Sequence, residues 1–421
     1  MSVCRFSPPT CCSPAAAPIF GNMTPTTTAT DPADAMFSWF HTMRGTQSVH
    51  LDDKQVWQVF GYADVARILS DPATFSSDTA KFNLSQPDLD LVLKGFLMMK
   101  DPPRHRTLRT LVSQVFTPRL VAALAPRITE MTISLLDAVD GADRFDLIDT
   151  LAYPLPVTVI AELLGVPATD QPRFRSWVET LLNLQTVDAT TALFPAQDEQ
   201  VVNAMAPTMR EVNEYLLAHI RRRRRQPTDD LVGKLTTVEL DGEWLADEEI
   251  MGFAIQLLLA GPGLATALLG NAVFSFDRHP EAVAEVRGDR DLLPAAVEEV
   301  LRFRSPVPRM GRVTTTDTEI GGRAVPSGQL VIAWLAAANR DPARFPEPDR
   351  FDIHRTSTAH LAFGHGIHFC IGAPLARLVA RIALDIMLER YHDIAVDAAG
   401  SIEFHNPWVL ISVKRLPVLV V

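Results

Sequence analysis

One cysteine in this chain sits where its chemistry would matter. Cys370 lies in the run Phe363-Gly364-His365-Gly366-Ile367-His368-Phe369-Cys370-Ile371-Gly372. The next residues, Ala373-Pro374-Leu375-Ala376-Arg377-Leu378, read as a helix, with Pro374 in its first turn, where a missing N–H is no loss. A cysteine at the positive end of a helix favours thiolate over thiol. Gly364, Gly366 and Gly372 permit backbone conformations closed to other residues and a close approach to a flat partner. A soft anionic sulfur offered to a large planar object suggests a haem iron ligated by cysteine. Elsewhere, His105 and Arg109 are four apart and share a helix face, so two cationic donors could clamp carboxylates there. Glu299 and Arg302, three apart, can form an ion pair.

The decapeptide resembles the haem-binding loop of the cytochromes P450, Phe-Gly-x-Gly-x-His-x-Cys-x-Gly, at every fixed position. The resemblance extends over about residues 35 to 421, through Asp101-Pro102-Pro103-Arg104-His105-Arg106-Thr107-Leu108-Arg109, Glu299-Val300-Leu301-Arg302 and Phe345-Pro346-Glu347-Pro348-Asp349-Arg350-Phe351. It implies a mainly α, helix-rich single domain with small β-sheets, and haem b as cofactor. By the same resemblance Cys370 is the axial iron ligand, and Phe363 and Gly372 belong to its loop. His105, Arg109, Arg312 and His368 hold the haem propionates. Glu299 and Arg302 are structural and tie the haem loop to their helix. The implied activity is monooxygenation, one atom of dioxygen entering a small apolar organic substrate, by analogy a secondary metabolite.

The resemblance falters on the distal side. Family members carry Ala-Gly-x-Glu/Asp-Thr-Thr in their long distal helix, and the acid-alcohol pair relays protons. Here the stretch reads Ala260-Gly261-Pro262-Gly263-Leu264-Ala265-Thr266. Gly263 stands at the acid position and Leu264 at the alcohol. Neither side chain can carry a proton. Three readings stay open: a monooxygenase whose substrate, or water held by Thr266 or by an open Leu258 carbonyl, supplies the proton path; a peroxide-driven, rearranging or coupling enzyme; and a haem-binding protein without turnover. Dioxygen and peroxide both remain possible oxidants.

Pocket walls are expected from Phe82, Leu84 and Leu97 in residues 78–97, read as a loop, and from Leu181, Leu184 and Leu258. Gly261, Leu264, Val307, Pro308 and Trp408 complete the set, and Arg309 beside them is read as a substrate-carboxylate anchor, a fourth propionate contact or a surface pair. Nothing resembles the Gly-x-Gly-x-x-Gly of a dinucleotide site, so electrons would come from a separate ferredoxin and reductase drawing on NAD(P)H. Arg106 and Arg377 would form the basic patch that an acidic ferredoxin meets.

These groups need a scaffold. The chain has 421 residues, 47% hydrophobic and 21% charged, enough for a large core. A net charge of -11 argues against nucleic acid as a partner. The other cysteines, Cys4, Cys11 and Cys12, lie in a Pro/Thr/Ala-rich stretch over residues 1–30, which reads as a disordered tail before a catalytic domain at 31–421. No disulfide framework is indicated, in keeping with a cytoplasmic setting. Ile250 to Phe276 carries no charge, enough for a membrane span, but its polar residues, central Gly-Pro-Gly and close charged flanks favour a buried helix; no membrane anchor is expected. The pattern predicts one bent helix from Asp247 to Arg278. It also predicts a helix from residue 104 to about 116, and helices over 178–194 and 201–220. Val56–Phe60 and Gln329–Leu335 read as strands. Arg221–Arg225 reads as a solvated helix end.

Overall fold

The computed structural model describes residues 31–79, 85–185, 199–356, 359–397 and 399–421. The expected tail over residues 1–30, the connection 186–198, and Phe82 and Leu84 lie outside the described residues.

The uncharged run forms one helix, Asp247–Arg278, 32 residues long. At 1.5 Å per residue it spans roughly 48 Å. Pro262 sits inside it, at a position where the missing N–H and the ring disfavour a helix by about 3 kcal/mol. Burial outweighs that: Ile250, Phe253, Ile255, Leu258, Leu268 and Leu269 are nearly or wholly inaccessible, and each such large side chain contributes about 1.5–3 kcal/mol. Among the described residues it is the one helix long and apolar enough to cross a membrane, yet 67% of its apolar window is buried inside the fold. It packs on the helices Pro154–Leu163, Glu199–Arg225 and Ala373–Arg390. It is therefore the central helix of the core.

Part of the stretch expected as a loop at 78–97 is helical. Gln86 caps Pro87–Leu93, its side-chain oxygen accepting from the Leu89 N–H at 2.8 Å. A short turn, Leu97–Met99, follows. This segment meets the long helix backbone to backbone. A Cβ on Gly252 would lie 2.3 Å from the Val92 carbonyl oxygen, and one on Gly95 1.9 Å from the Glu249 oxygen. Only glycines allow that crossing.

The helix Arg104–Val115 forms as its stripe predicts, burying His105, Leu108, Leu111 and Val112. Arg104 ties its start to the long helix, with Nε donating to Glu249 Oε1 at 3.0 Å. The two helices expected between residues 178 and 220 form as Gln171–Gln185 and Glu199–Arg225, each with bounds other than the spacing suggested. The arginine tract is not simply solvated. Arg223 Nε donates to Asp230, which caps the short helix Leu231–Leu235, at 2.7 Å, and Arg224 Nε donates to Asp247 at 2.6 Å, fastening this helix to the start of the long one.

Strands β1 (Val49–Leu51), β2 (Trp57–Val59), β3 (Phe75–Ser76), β4 (Met310–Thr314) and β5 (Leu330–Ala333) form one sheet in the order β1-β2-β5-β4-β3. The β2–β5 pair is parallel and the others antiparallel. This sheet holds Arg312 on β4. A second sheet joins Arg144–Asp146 and Ile394–Val396 to the C-terminal strand Pro417–Val420.

Candidate active site

Cys370 sits just before the helix Ala373–Arg390. Its N–H donates to the Phe363 carbonyl at 2.9 Å, closing the loop. Gly364 and Gly366 have φ of +73° and +70°. A Cβ on Gly366 would lie 2.7 Å from the Leu69 carbonyl oxygen, so both conformation and space require glycine there. Burial pushes the Cys370 thiol up, while the amides of Gly372 and Ala373 and the charges of Arg109 and Arg377 pull the other way. Burial wins, so the helix end alone does not make a thiolate here. A bound cation would deprotonate the thiol outright.

A cationic cluster adjoins the loop. The rings of His105 and His368 lie 4.2 Å apart. The Nε2 atom of each is buried and without a hydrogen-bond partner. Burial, then the charges of Arg312, His105 and Arg109, push His368 down to about 3. Burial pushes the Arg312 guanidinium down to about 10. Burial also lowers His105, with Arg109 adding to it. Mutual repulsion and two orphaned ring nitrogens mark a place built for an anion. The two carboxylates of a haem whose iron meets Cys370 fit these residues.

Glu299 and Arg302 form a bidentate pair, Nε to Oε2 and the terminal nitrogen to Oε1, both at 2.7 Å, with side chains 3% and 1% exposed. Their further partners are not the haem loop. Arg302 donates to the carbonyls of Asn339 (2.9 Å) and Pro348 (2.8 Å), and Glu299 accepts from the Asp352 N–H at 2.9 Å. The pair fastens the segment 339–352 that precedes the loop. Glu298, which sequence reasoning passed over, ties the two flanks of the loop instead. It accepts from Arg377 Nε at 2.6 Å and lies 3.1 Å from His360 Nε2.

On the long helix, Gln256, Leu259, Ala260, Gly261, Gly263 and Leu264 are partly exposed while most of the helix is buried. Gln256, Leu259, Ala260, Gly263 and Leu264 recur at helical spacing and line one face. Leu258 stands on the opposite face, and Thr266, seven residues after Leu259, at the edge of the stripe. Leu258 is wholly buried, and the Thr266 hydroxyl donates toward the carbonyls of Ala152 and Pro262, both at 2.9 Å. Thr266 is therefore buried with its proton already engaged. A Cβ on Gly261 would meet Ile160 Cδ1 at 3.2 Å, so this glycine mainly serves the contact with Pro154–Leu163.

The sequence model of the family described as Cytochrome P450 matches residues 12–417. This chain belongs to the cytochrome P450 family. It is 43% identical to the erythromycin C-12 hydroxylase of Saccharopolyspora erythraea over 91% of this chain and 94% of that protein. It is 42% identical to the cyclomarin C epoxidase CymV of Salinispora arenicola over 90% of this chain and 94% of that one. The ligand-free structure of cytochrome P450 TbtJ1 superposes with a TM-score of 0.85 at 43% identity, covering 94% of this chain and 99% of its own. The chain is thus a P450 monooxygenase, and haem is the cofactor its family implies.

The remaining wall residues of this P450 fall largely into core positions. Leu97 and Leu181 are buried in the main core. Arg309 is buried with its guanidinium 5.2 Å from the Trp334 ring. Trp408 packs against Trp39 and Trp334, with ring centroids 5.2 and 5.7 Å apart. Arg309 and Trp408 thus belong to an aromatic cluster, which argues against Arg309 as a carboxylate anchor. Val307 is partly exposed at the edge of the sheet core. Arg106 is exposed, but Arg377 is engaged inward with Glu298.

Proposed function

We propose that this P450 inserts one atom of dioxygen into a mostly apolar secondary metabolite in the cytoplasm, with electrons from a separate ferredoxin and reductase drawing on NAD(P)H. The observation that carries this reading is the partly exposed stripe on the long helix, apolar except for Gln256. Such a wall suits a dry pocket with few polar anchors. The named activities of the relatives, hydroxylation and epoxidation, support the same class of substrate.

Haem b, ligated by Cys370 and held through its carboxylates by His105, Arg109, Arg312 and His368, would supply dioxygen activation and oxygen-atom transfer. The chain's own residues supply the rest. Leu259, Ala260 and Leu264 keep water from the reacting face. Gln256, whose side-chain oxygen accepts from the Met98 N–H at 3.2 Å, offers a fixed amide to an oxygen of the substrate. None of the five stripe residues can titrate, and Thr266 is engaged elsewhere. The proton therefore arrives on a hydroxyl of the substrate or on water that the substrate holds. The same lack of a relay favours a second reading, use of peroxide, which brings its own protons and electrons.

Haem-loaded protein with a panel of hydroxyl-bearing macrocyclic natural products tests this. Product with ferredoxin, reductase and NAD(P)H, and little with peroxide alone, is expected. Turnover with peroxide only would overturn the dioxygen reading in favour of the second.

A further inference from the structure

Glu298 lies beside the signature pair Glu299–Arg302 and serves a different partner set. Its two carboxylate oxygens accept from Arg377 Nε at 2.6 Å and from Arg377's terminal nitrogen at 2.8 Å, and Oε2 lies 3.1 Å from His360 Nε2. Both partners face Phe363. The Arg377 guanidinium stands 4.6 Å from the Phe363 ring centre, and the His360 ring 6.1 Å from it. Phe363 in turn accepts the Cys370 N–H at 2.9 Å. A chain of contacts therefore runs from Glu298 through Arg377 and His360 to Phe363, and from Phe363 to the sulfur-bearing residue. The cluster is sheltered: the side chains of His360, Glu298 and Arg377 are 3%, 20% and 34% exposed. Burial alone would raise the Glu298 carboxyl, but the hydrogen bonds from Arg377 and His360 outweigh it and hold it down to about 2. Its negative charge is therefore a fixed feature near the loop, set against the positive charge of Arg377.

We infer that Glu298 is a positioning residue for the Cys370 loop, orienting Arg377 and His360 against Phe363 and balancing the Arg377 charge, so that it tunes the reduction potential of the iron that Cys370 ligates. Groups outside the ligand set govern iron potential through hydrogen bonding and local charge, which is the physical basis of the assignment. The inference rests on Cys370 being the ligand.

The test is a potentiometric titration of substrate-free, haem-loaded protein, with the carbon monoxide spectrum of each reduced sample taken alongside. Glu298→Gln leaves the Arg377 charge uncompensated, so the potential rises. Arg377→Gln removes the positive charge, so the potential falls. The double variant lies between the two, and Glu298→Asp restores most of the wild-type value. A purely structural role would lower haem retention without opposite shifts. Equal potentials across the series, or shifts of one sign for both single variants, overturn the inference. If Glu298→Gln fails to fold, Arg377→Gln still decides: a fall supports the inference and an unchanged or higher potential overturns it. A wild-type spectrum without a thiolate band would instead overturn the ligand assignment, so the two failures are distinct.

Discussion

The surroundings of Cys370 and the partly exposed face of the long helix are built from different materials. Around the cysteine, His105, Arg109, Arg312, His368, Phe363 and Arg377 bring charge, rings and directed bonds, and Glu298 and the Glu299–Arg302 pair brace them. Along the helix face, leucine, alanine and glycine predominate and Gln256 is the one side-chain hydrogen-bonding group in the stripe. The first region specifies a cofactor and its electronic setting almost independently of substrate. The second specifies only shape and dryness. The difference places the chemistry common to the family in one region and leaves protons and orientation to the substrate in the other.

Breaking the braced region should have the largest effect. Arg302→Met leaves the buried Glu299 carboxylate with only the more distant Arg355, 3.4 Å away, and removing one partner of such a pair costs up to about 3–5 kcal/mol. Denaturant unfolding should show that loss, and purified protein should carry little haem; near wild-type stability would mean the pair is not a brace. Less severe is His105→Ala, which removes one of the two orphaned ring nitrogens. Haem transfer to an acceptor globin should quicken roughly ten- to a hundredfold, as for other groups that support a metal site from outside the ligand set. An unchanged rate would remove His105 from the anion cradle. The helix face should respond least. Thr266→Val breaks the bonds to Ala152 and Pro262 and costs about 1 kcal/mol of stability, with product formation kept within roughly twofold. A large fall in turnover with stability retained would return Thr266 to the proton path and erase the contrast between the two regions.

Much of this contrast was legible in the residues. The Cys370 loop, the stripe on Arg104–Val115 and the uncharged run at 250–276 each gave the element that forms. The phase of the long helix was legible too, although the sequence reading missed it. At about 100° per residue, Leu258 stands two positions from Ala260 and so opposite the stripe, whereas Thr266, seven positions after Leu259, stands at the stripe's edge. What keeps Thr266 from replacing the missing alcohol is its bond to Ala152, more than a hundred residues away, which helix phase does not reveal. Other features depend on contacts between distant segments. Arg309 meets Trp334 only after the sheet brings their segments together. The role of Glu298 could not be read beside that of Glu299, because its partners lie dozens of residues downstream, at 360 and 377, while Glu299 has Arg302 three residues away. The bounds of Gln171–Gln185 and Pro87–Leu93 also differed from the spacing, since close packing against neighbouring helices decides them.

The most direct test of the central claim, that Cys370 ligates haem iron within this cationic cradle, is the optical spectrum of the reduced protein with carbon monoxide, taken for the wild type and for Cys370→Ala. The account predicts a thiolate-type band in the wild type and its complete loss in the variant. A band that survives the substitution would contradict it.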